Sequence, residues 1–258
     1  MTLDSSIIVT LRLLSFTLFI QAAEILILSR RDDFNHIWSF KNLNRDLLSG
    51  LPLKPKLVEM FFSTNGLHAI TLIQIATAIS TAFTPHALGI TVLLLTHLLI
   101  CIRFRGSFNG GSDMMTFVVL TGTLIAITGA QKVGMIYIAT HALYSYFKAG
   151  LAKAKHREWW NGQAIPAFLS RSLFPDIQMM GAQLRNYSWL SKAAGWLTLF
   201  FEFSILGLLL FPKLAMIYMA CAIVFHLSIY FCFGLNRFFW IWLCTWPSIL
   251  YSLSLLNS

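Results

Sequence analysis

Ionisable side chains stand inside stretches of this sequence that are otherwise apolar. They are Arg12, Glu24, His97, His141, Lys148, Glu202 and His226. A charged group at membrane depth is costly, so such groups usually face a bundle interior or a water-filled cavity and mark sites for ions, protons or substrates. Glu202 is the strongest candidate, because a carboxylate in the middle of an apolar segment needs a cationic or hydrogen-bonding partner. We expect a buried Glu202 whose partner is one of Arg12, His141, Lys148 and His226.

Several of these residues also have a purely structural interpretation. The long side chains of Arg12, Glu24 and Lys148 can extend to a membrane interface, and His97 and His226 can be hydrogen-bonded packing residues. No two of these histidines and carboxylates lie one helical turn apart, and the H-E-x-x-H and G-x-G-x-x-G motifs are absent. The sequence therefore predicts no metal site and no nucleotide site.

Lys153 closes the fifth apolar segment and is followed by Lys155 and Arg157. Lipid and neighbouring positive charges both disfavour an ammonium ion. A lysine in these surroundings suits a general base that removes a proton from a lipid-soluble acid such as a hydroquinone. The alternative is that the three cations only fix the orientation of a helix end.

Eight apolar segments are long enough to cross a membrane as helices. They cover residues 6–28, 63–83, 86–103, 114–131, 133–152, 189–211, 213–234 and 238–256. Fourteen basic residues fall in the odd-numbered connections and two, Lys132 and Lys213, in the even-numbered ones. This alternation predicts an all-α, polytopic transmembrane bundle, a single integral membrane domain over residues 1–258, with both termini on one side. Its basic residues flank membrane segments, so the charge of +9 indicates lipid headgroups rather than nucleic acid as the partner.

Two long connections, 30–62 and 153–188, carry apolar residues at helical spacing together with tryptophans and prolines. Both are predicted to be interfacial segments that lie on the membrane surface. In the first we expect one short helix, ended by Pro52 and Pro55. The apolar part of the second begins with Trp159 and Trp160. It is either a lid over a cavity or a surface segment that covers no cavity.

Two stretches carry a family resemblance. One runs from Arg103 to Asp113 and reads R-F-R-G-S-F-N-G-G-S-D; the other runs from Tyr146 to Lys153, reads Y-F-K-A-G-L-A-K, and precedes Trp159 and Trp160. Together with the helix order, they resemble the HTTM membrane domain of vitamin K-dependent γ-glutamyl carboxylases, of sporulation-delaying protein B and of many bacterial proteins. The resemblance implies a bacterial inner membrane location and makes Lys153 the counterpart of the base that deprotonates reduced vitamin K. The carboxylases have an Asn-His pair where this chain has Gly110 to Asp113, so no residue of this stretch matches that histidine.

The expected site combines residues from both stretches. Lys153, His141 and Asp113 are the candidate catalytic residues; the candidate substrate-binding residues are Asn109, Arg103, Arg105, Trp159 and Trp160; the buried polar residues are Glu202, His226 and Arg12. We expect Lys153 to line a cavity, with Asn109 or Asp113 within roughly 10 Å and His141 deeper along the same wall. The sequence leaves the cofactor open, and a quinone or another lipid fits the apolar surroundings.

Three functions stay open from the sequence. The first is a maturation or modification factor that acts on a peptide or a quinone-like lipid at the Lys153 face. The second is a non-catalytic structural or assembly subunit of a larger membrane complex, for which the aromatic last segment, Phe238 to Trp246, would provide contacts. The third is a small transporter that uses the buried ionisable residues. The charge bias places Lys153 in the cytoplasm, whereas the resemblance places it on the opposite side.

Overall fold

The computed structural model describes residues 1–52, 54–104 and 110–256, without the side chains of Asp32, Asp33 and Asn35. Every regular element among these residues is helical. The chain divides into two compact units, one covering Thr2–Met135 and the other beginning at Ile136, so that the boundary falls within one long helix.

The first unit contains seven helices and the start of an eighth. In chain order they are α1 (Leu3–Leu28), α2 (Asp32–Ile37), α3 (Phe40–Gly50), α4 (Pro55–Phe62), α5 (Thr64–Phe83), α6 (Ala87–Phe104), α7 (Gly111–Ile127) and α8 (Gln131–Ala154). Helix α1 begins at Thr2, whose hydroxyl accepts a hydrogen bond from the Ser5 amide, as expected of an N-cap. Its buried residues Leu11, Leu14 and Leu18 recur every three or four positions, which places them on one face. Helix α1 packs on α5 and α7.

The first long connection folds into α2, α3 and α4. Leu47 of α3 packs with Val58 and Phe62 of α4 in a buried cluster. The apolar face of α3 that was expected to lie on the membrane surface therefore packs partly against the protein itself. Helix α3 ends at Gly50, before Pro52, as expected. Pro55 then starts a further helix, α4, where the missing amide hydrogen of proline costs nothing.

The second unit contains the rest of α8 and six further helices. They are α9 (Arg157–Asn161), α10 (Ala164–Leu169), α11 (Pro175–Leu184), α12 (Ser188–Ser204), α13 (Ala215–Phe233) and α14 (Asn236–Ser254). Two short 3-10 turns, Ile205–Leu209 and Pro212–Leu214, connect α12 to α13. The short helices α9 and α10 pack on α12, and α13 packs on α14. These helices enclose a cavity within the second unit.

Helices occupy all eight apolar segments of the sequence, and five of the helical stretches are long and apolar enough to cross a membrane. The five are Leu3–Leu28, Thr64–Phe83, Ala87–Phe104, Ser188–Leu209 and Pro212–Phe233. Helix α7, with 17 residues, is apolar but shorter. Helices α8 and α14 carry more polar residues, among them Lys148 and Lys153 of α8. The protein is thus a multi-pass, all-helical membrane protein.

Candidate functional site

An apolar cavity of about 650 Å³ lies within the second unit. Its wall consists of residues from all seven helical segments of that unit, from α8 to α14. Most of the lining side chains are apolar or aromatic, including Phe168 of α10, Met180 of α11 and Phe238 of α14. A volume of this size accommodates a small organic molecule. The few polar groups in the wall therefore determine what the cavity can bind.

Lys153 and Glu202 form an ion pair in this wall. The Nζ atom of Lys153, near the end of α8, donates a hydrogen bond of 2.5 Å to Oε1 of Glu202 on α12. The side chain of Glu202 is 3% exposed and that of Lys153 is 24% exposed. The second carboxylate oxygen, Oε2, is buried and has no hydrogen-bond partner among the described residues. One carboxylate oxygen is therefore neutralised, while the other can accept a hydrogen bond from a ligand.

Gly150 allows this pair to form. A Cβ atom at Gly150 would lie 3.1 Å from Cβ of Glu202 and 3.5 Å from the Phe203 amide nitrogen. Because glycine has no side chain, α8 and α12 approach closely one turn before Lys153. The lysine therefore reaches the carboxylate.

Trp159 covers the other side of the ammonium group. The Nζ atom of Lys153 lies 5.5 Å from the centroid of the Trp159 ring, a distance at which a cation and an aromatic face attract each other. Trp159, which belongs to α9, is buried in a cluster with Ala164 and Leu199. The lysine is thus held by a carboxylate and an indole in the same cavity.

A second polar pair lies on the cavity wall. The hydroxyl of Tyr146 on α8 and Nε2 of His226 on α13 are 2.7 Å apart. The imidazole of His226 stacks on Trp242 of α14, with ring centroids 5.1 Å apart and an interplanar angle of 15°. The Nδ1 atom of His226 is buried without a hydrogen-bond partner among the described residues. Aromatic rings thus hold this histidine at the wall.

The structure brings together four of the residues that the sequence marked. Lys153, Trp159, Glu202 and His226 all line the cavity. The partner of Glu202 is Lys153 and not one of the four expected residues. A sequence provides no distance between helices, and Lys153 had been interpreted only as a base or an orienting charge.

Two expected residues of the second unit lie outside the cavity lining. His141 is exposed and contacts the ring of Tyr137, and the α8 part of the lining begins one turn later, at Ser145. Trp160 donates its indole N–H to the carbonyl of Ala154 and packs edge-on against Trp196. Consecutive residues of a helix point in different directions, so Trp159 reaches the cavity and Trp160 does not.

The remaining candidates belong to the first unit. Arg12, which was expected to be buried, is exposed on α1, because it lies outside the face formed by Leu11, Leu14 and Leu18. Arg103 is buried and donates from Nη2 to the Trp38 carbonyl at 2.9 Å. Arg105 and Asn109 lie outside the described residues, and a short distance from Asp113 to Lys153 stays a prediction.

A group of possible metal ligands in the first unit was not expected from the sequence. His97, Cys101 and Asp113 are all buried, and each places one ligand atom within 4.8 Å of the other two. No cluster of cysteine and histidine was expected either, although His97 and Cys101 are four residues apart on α6. That spacing was the available signal, because it places two ligands on one helical face.

Tyr146 is a site residue that the sequence did not single out. It appeared there only as the first residue of the family-like stretch Tyr146 to Lys153. Its partner His226 is 80 residues away in the sequence, so only the packing of α8 against α13 reveals the pair.

Comparison with known proteins places this site within a known domain. A family model described as HTTM domain matches residues 115–252, which is more than half of the chain and includes Tyr146, Lys153, Glu202 and His226. No curated protein matches the chain. No solved structure matches it either.

Proposed function

Because the chain belongs to the HTTM domain family, we propose that its second unit binds a lipid-soluble molecule that carries a weakly acidic hydroxyl group, such as a hydroquinone. We propose further that all eight long helices cross the membrane, including α7, α8 and α14. The ligand would enter from the lipid phase, and its modification, or its use in the maturation of a peptide, would be the function of the protein.

The observation that carries the proposal is the Lys153–Glu202 pair in an apolar cavity. Apolar walls favour a ligand with a hydrocarbon or aromatic body. A buried carboxylate oxygen without a partner is costly. A hydrogen bond from a ligand hydroxyl to Oε2 of Glu202 removes that cost and so makes the free energy of binding more favourable. The pair therefore selects for a hydroxyl at one end of an otherwise apolar molecule.

The same pair can carry out acid–base chemistry on that hydroxyl. The ligand O–H proton passes to Oε2 of Glu202, and the ligand becomes an oxyanion. The ammonium group of Lys153 then exchanges its carboxylate partner for the oxyanion, so that one ion pair replaces another and charge balance is kept. In this scheme Glu202 accepts the proton and Lys153 stabilises the oxyanion. The role of base that the resemblance gives to Lys153 is therefore shared between the two residues.

A binding experiment with the purified protein in detergent micelles tests the proposal. Trp159 and Trp242 line the cavity, so a bound quinone, which quenches indole fluorescence, should quench their emission. We expect saturable quenching by 2-methyl-1,4-naphthoquinone in wild type. Reduction of the probe to its quinol under anaerobic conditions should raise the apparent affinity, because only the quinol can donate to Glu202.

Two variants give the contrast. Glu202→Gln should remove the preference for quinol over quinone, whereas Lys155→Gln, a change at an exposed lysine just beyond α8, should retain it. Equal affinity of wild type for both forms, or linear quenching without saturation, would overturn the proposal.

The assembly-subunit hypothesis rested on the aromatic residues of the last segment. Trp242 and Trp246 of α14 are buried inside the second unit, so they contribute to its own core. Phe238, Phe239 and Trp240 are half-buried, and the hypothesis depends on these three.

A further inference from the structure

The buried group formed by His97, Cys101 and Asp113 has the composition of a transition-metal site. An imidazole nitrogen, a thiol sulfur and a carboxylate oxygen lie within 4.8 Å of one another. All three residues belong to the first unit, in which α6 contributes His97 and Cys101 and the first turn of α7 contributes Asp113. This group is separate from the residues of the proposed function.

A chain of hydrogen bonds fixes the imidazole of His97. The amide nitrogen of Gln74 donates to the Leu18 carbonyl at 3.0 Å and to Oε1 of Gln21 at 3.2 Å. The same Oε1 atom lies 3.0 Å from Nδ1 of His97. Because this oxygen can only accept, Nδ1 donates to it in one tautomer of the ring, and that tautomer has its lone pair on Nε2. The Asp113 carbonyl also only accepts, so in the other tautomer Nε2 donates to it. Metal binding selects the first tautomer.

Nε2 lies beside Sγ of Cys101 and the backbone of Asp113. It is 3.6 Å from Sγ of Cys101 and 3.2 Å from the backbone carbonyl of Asp113. Zn–N and Zn–S bonds of about 2.0 and 2.3 Å in a tetrahedral site separate the two ligand atoms by about 3.5 Å. The observed Nε2–Sγ distance thus fits a shared metal ion. Histidine ligands of metals generally donate their other ring N–H to an oxygen, as His97 does to Gln21 in the first tautomer.

We propose that His97, Cys101 and Asp113 bind a divalent transition-metal ion, with Zn²⁺ as the expected one. The thiolate of Cys101 and the carboxylate of Asp113 together carry two negative charges, equal in size to the charge of the ion. A thiolate ligand disfavours Mg²⁺ and Ca²⁺, which prefer oxygen. Metal binding displaces the thiol proton of Cys101 to solvent. Three protein ligands leave a fourth position for water or another molecule.

Cobalt substitution tests the site directly. The full chain, purified in detergent with a chelator and then dialysed, is titrated with Co²⁺ under anaerobic conditions. We expect a thiolate-to-cobalt charge-transfer band in the near ultraviolet that saturates at one equivalent per chain. Addition of Zn²⁺ should abolish the band.

Variants at the other three cysteines assign the ligand without altering the site itself, and Cys101→Ser removes it. The chain has four cysteines, and the triple variant Cys221→Ser/Cys232→Ser/Cys244→Ser retains Cys101 as its one thiol. This variant should keep the band. Cys101→Ser should lose it, whereas Cys244→Ser, a matched change at another buried cysteine, should not.

Three results would overturn the proposal. The first is wild-type protein without a charge-transfer band, and the second is loss of the band in the triple variant. The third is a band that persists in Cys101→Ser. Because the wild type and the triple variant decide the outcome between them, a failure of Cys101→Ser to fold leaves the test intact.

Discussion

The Cβ position of Gly150 lies 3.1 Å from Cβ of Glu202, so α8 and α12 are in backbone-level contact one turn before the Lys153–Glu202 ion pair. Any side chain at residue 150 would push against an atom attached directly to the α12 backbone. Relief would require a shift of the helix, since no flexible side-chain end is available to move. The distance between the two helices and the length of the ion pair are thereby coupled.

We expect Gly150→Leu to destabilise the protein by about 1–3 kcal/mol, the usual cost of overpacking. The control is Gly207→Leu in the 3-10 turn Ile205–Leu209, because a Cβ atom at Gly207 meets nothing within 4 Å. Thermal unfolding of the detergent-solubilised proteins measures the difference. Equal melting temperatures for the two variants would show that α12 is free to move away from α8.

Removal of Lys153 should cost more than removal of the charge on Glu202. Lys153→Met leaves a carboxylate that is 3% exposed without its counter-charge, and we expect a loss of about 3 kcal/mol. Glu202→Gln leaves a lysine with 24% exposure, which can still reach water, and the expected loss is on the order of 1 kcal/mol.

The double variant Lys153→Met/Glu202→Leu serves as the control for this asymmetry. Replacement of both charges by apolar side chains should recover much of the stability lost in Lys153→Met. The melting temperatures of wild type and of the three variants measure these differences. A double variant that is less stable than Lys153→Met would contradict the assignment of the pair.

Tyr146→Phe should destabilise the second unit by about 1–3 kcal/mol. The change removes the hydroxyl from Nε2 of His226, whose Nδ1 already has no hydrogen-bond partner among the described residues, and so leaves a buried imidazole without its bond to Tyr146. Tyr144→Phe on the same helix is the matched control, because Tyr144 is exposed. A thermal-shift comparison in which both variants behave alike would argue against this hydrogen bond.

The membrane topology has its own test. In a cysteine-free background, single cysteines at Asn109, Trp160 and Arg237 should react with a membrane-impermeant maleimide from one side. Cysteines at Lys132 and Lys213 should react from the other side. Two positions that react from unexpected sides would rule out eight spans, and the side on which Trp160 reacts decides between the charge bias and the family resemblance as guides to orientation.

The sequence was informative about the helices because lipid restricts the structures that can cross it. Backbone groups without water must pair within each segment, so apolar length alone located the eight helices to within a few residues. The shorter helices were harder. Connection 30–62 contains three helices where one was expected. The expected helix ends before Pro52, as α3 does, but Pro55 also starts a further helix, α4.

The site was predictable only where one residue carried the signal. Glu202 stood out because a carboxylate in an apolar segment is expensive, and Lys153 stood out through its neighbours and the family resemblance. Their pairing was not predictable, because it depends on the close approach of α8 and α12 at Gly150. The Tyr146–His226 bond likewise depends on helix packing, which the residue pattern of a single helix does not contain.

The charged and hydrogen-bonding residues of the cavity wall all lie on long helices, whereas the short helices contribute only apolar and aromatic residues. Lys153, Glu202 and His226 are on the long helices α8, α12 and α13, whereas Phe168 and Met180 are on the short helices α10 and α11. Exchange of the 157–187 segment between relatives would therefore alter the size and shape of the accepted ligand while the acid–base pair stays in place. The chemistry at the ion pair and the choice of ligand can therefore change independently in such a protein. A chimaera that exchanges this segment is a direct way to engineer a new ligand preference.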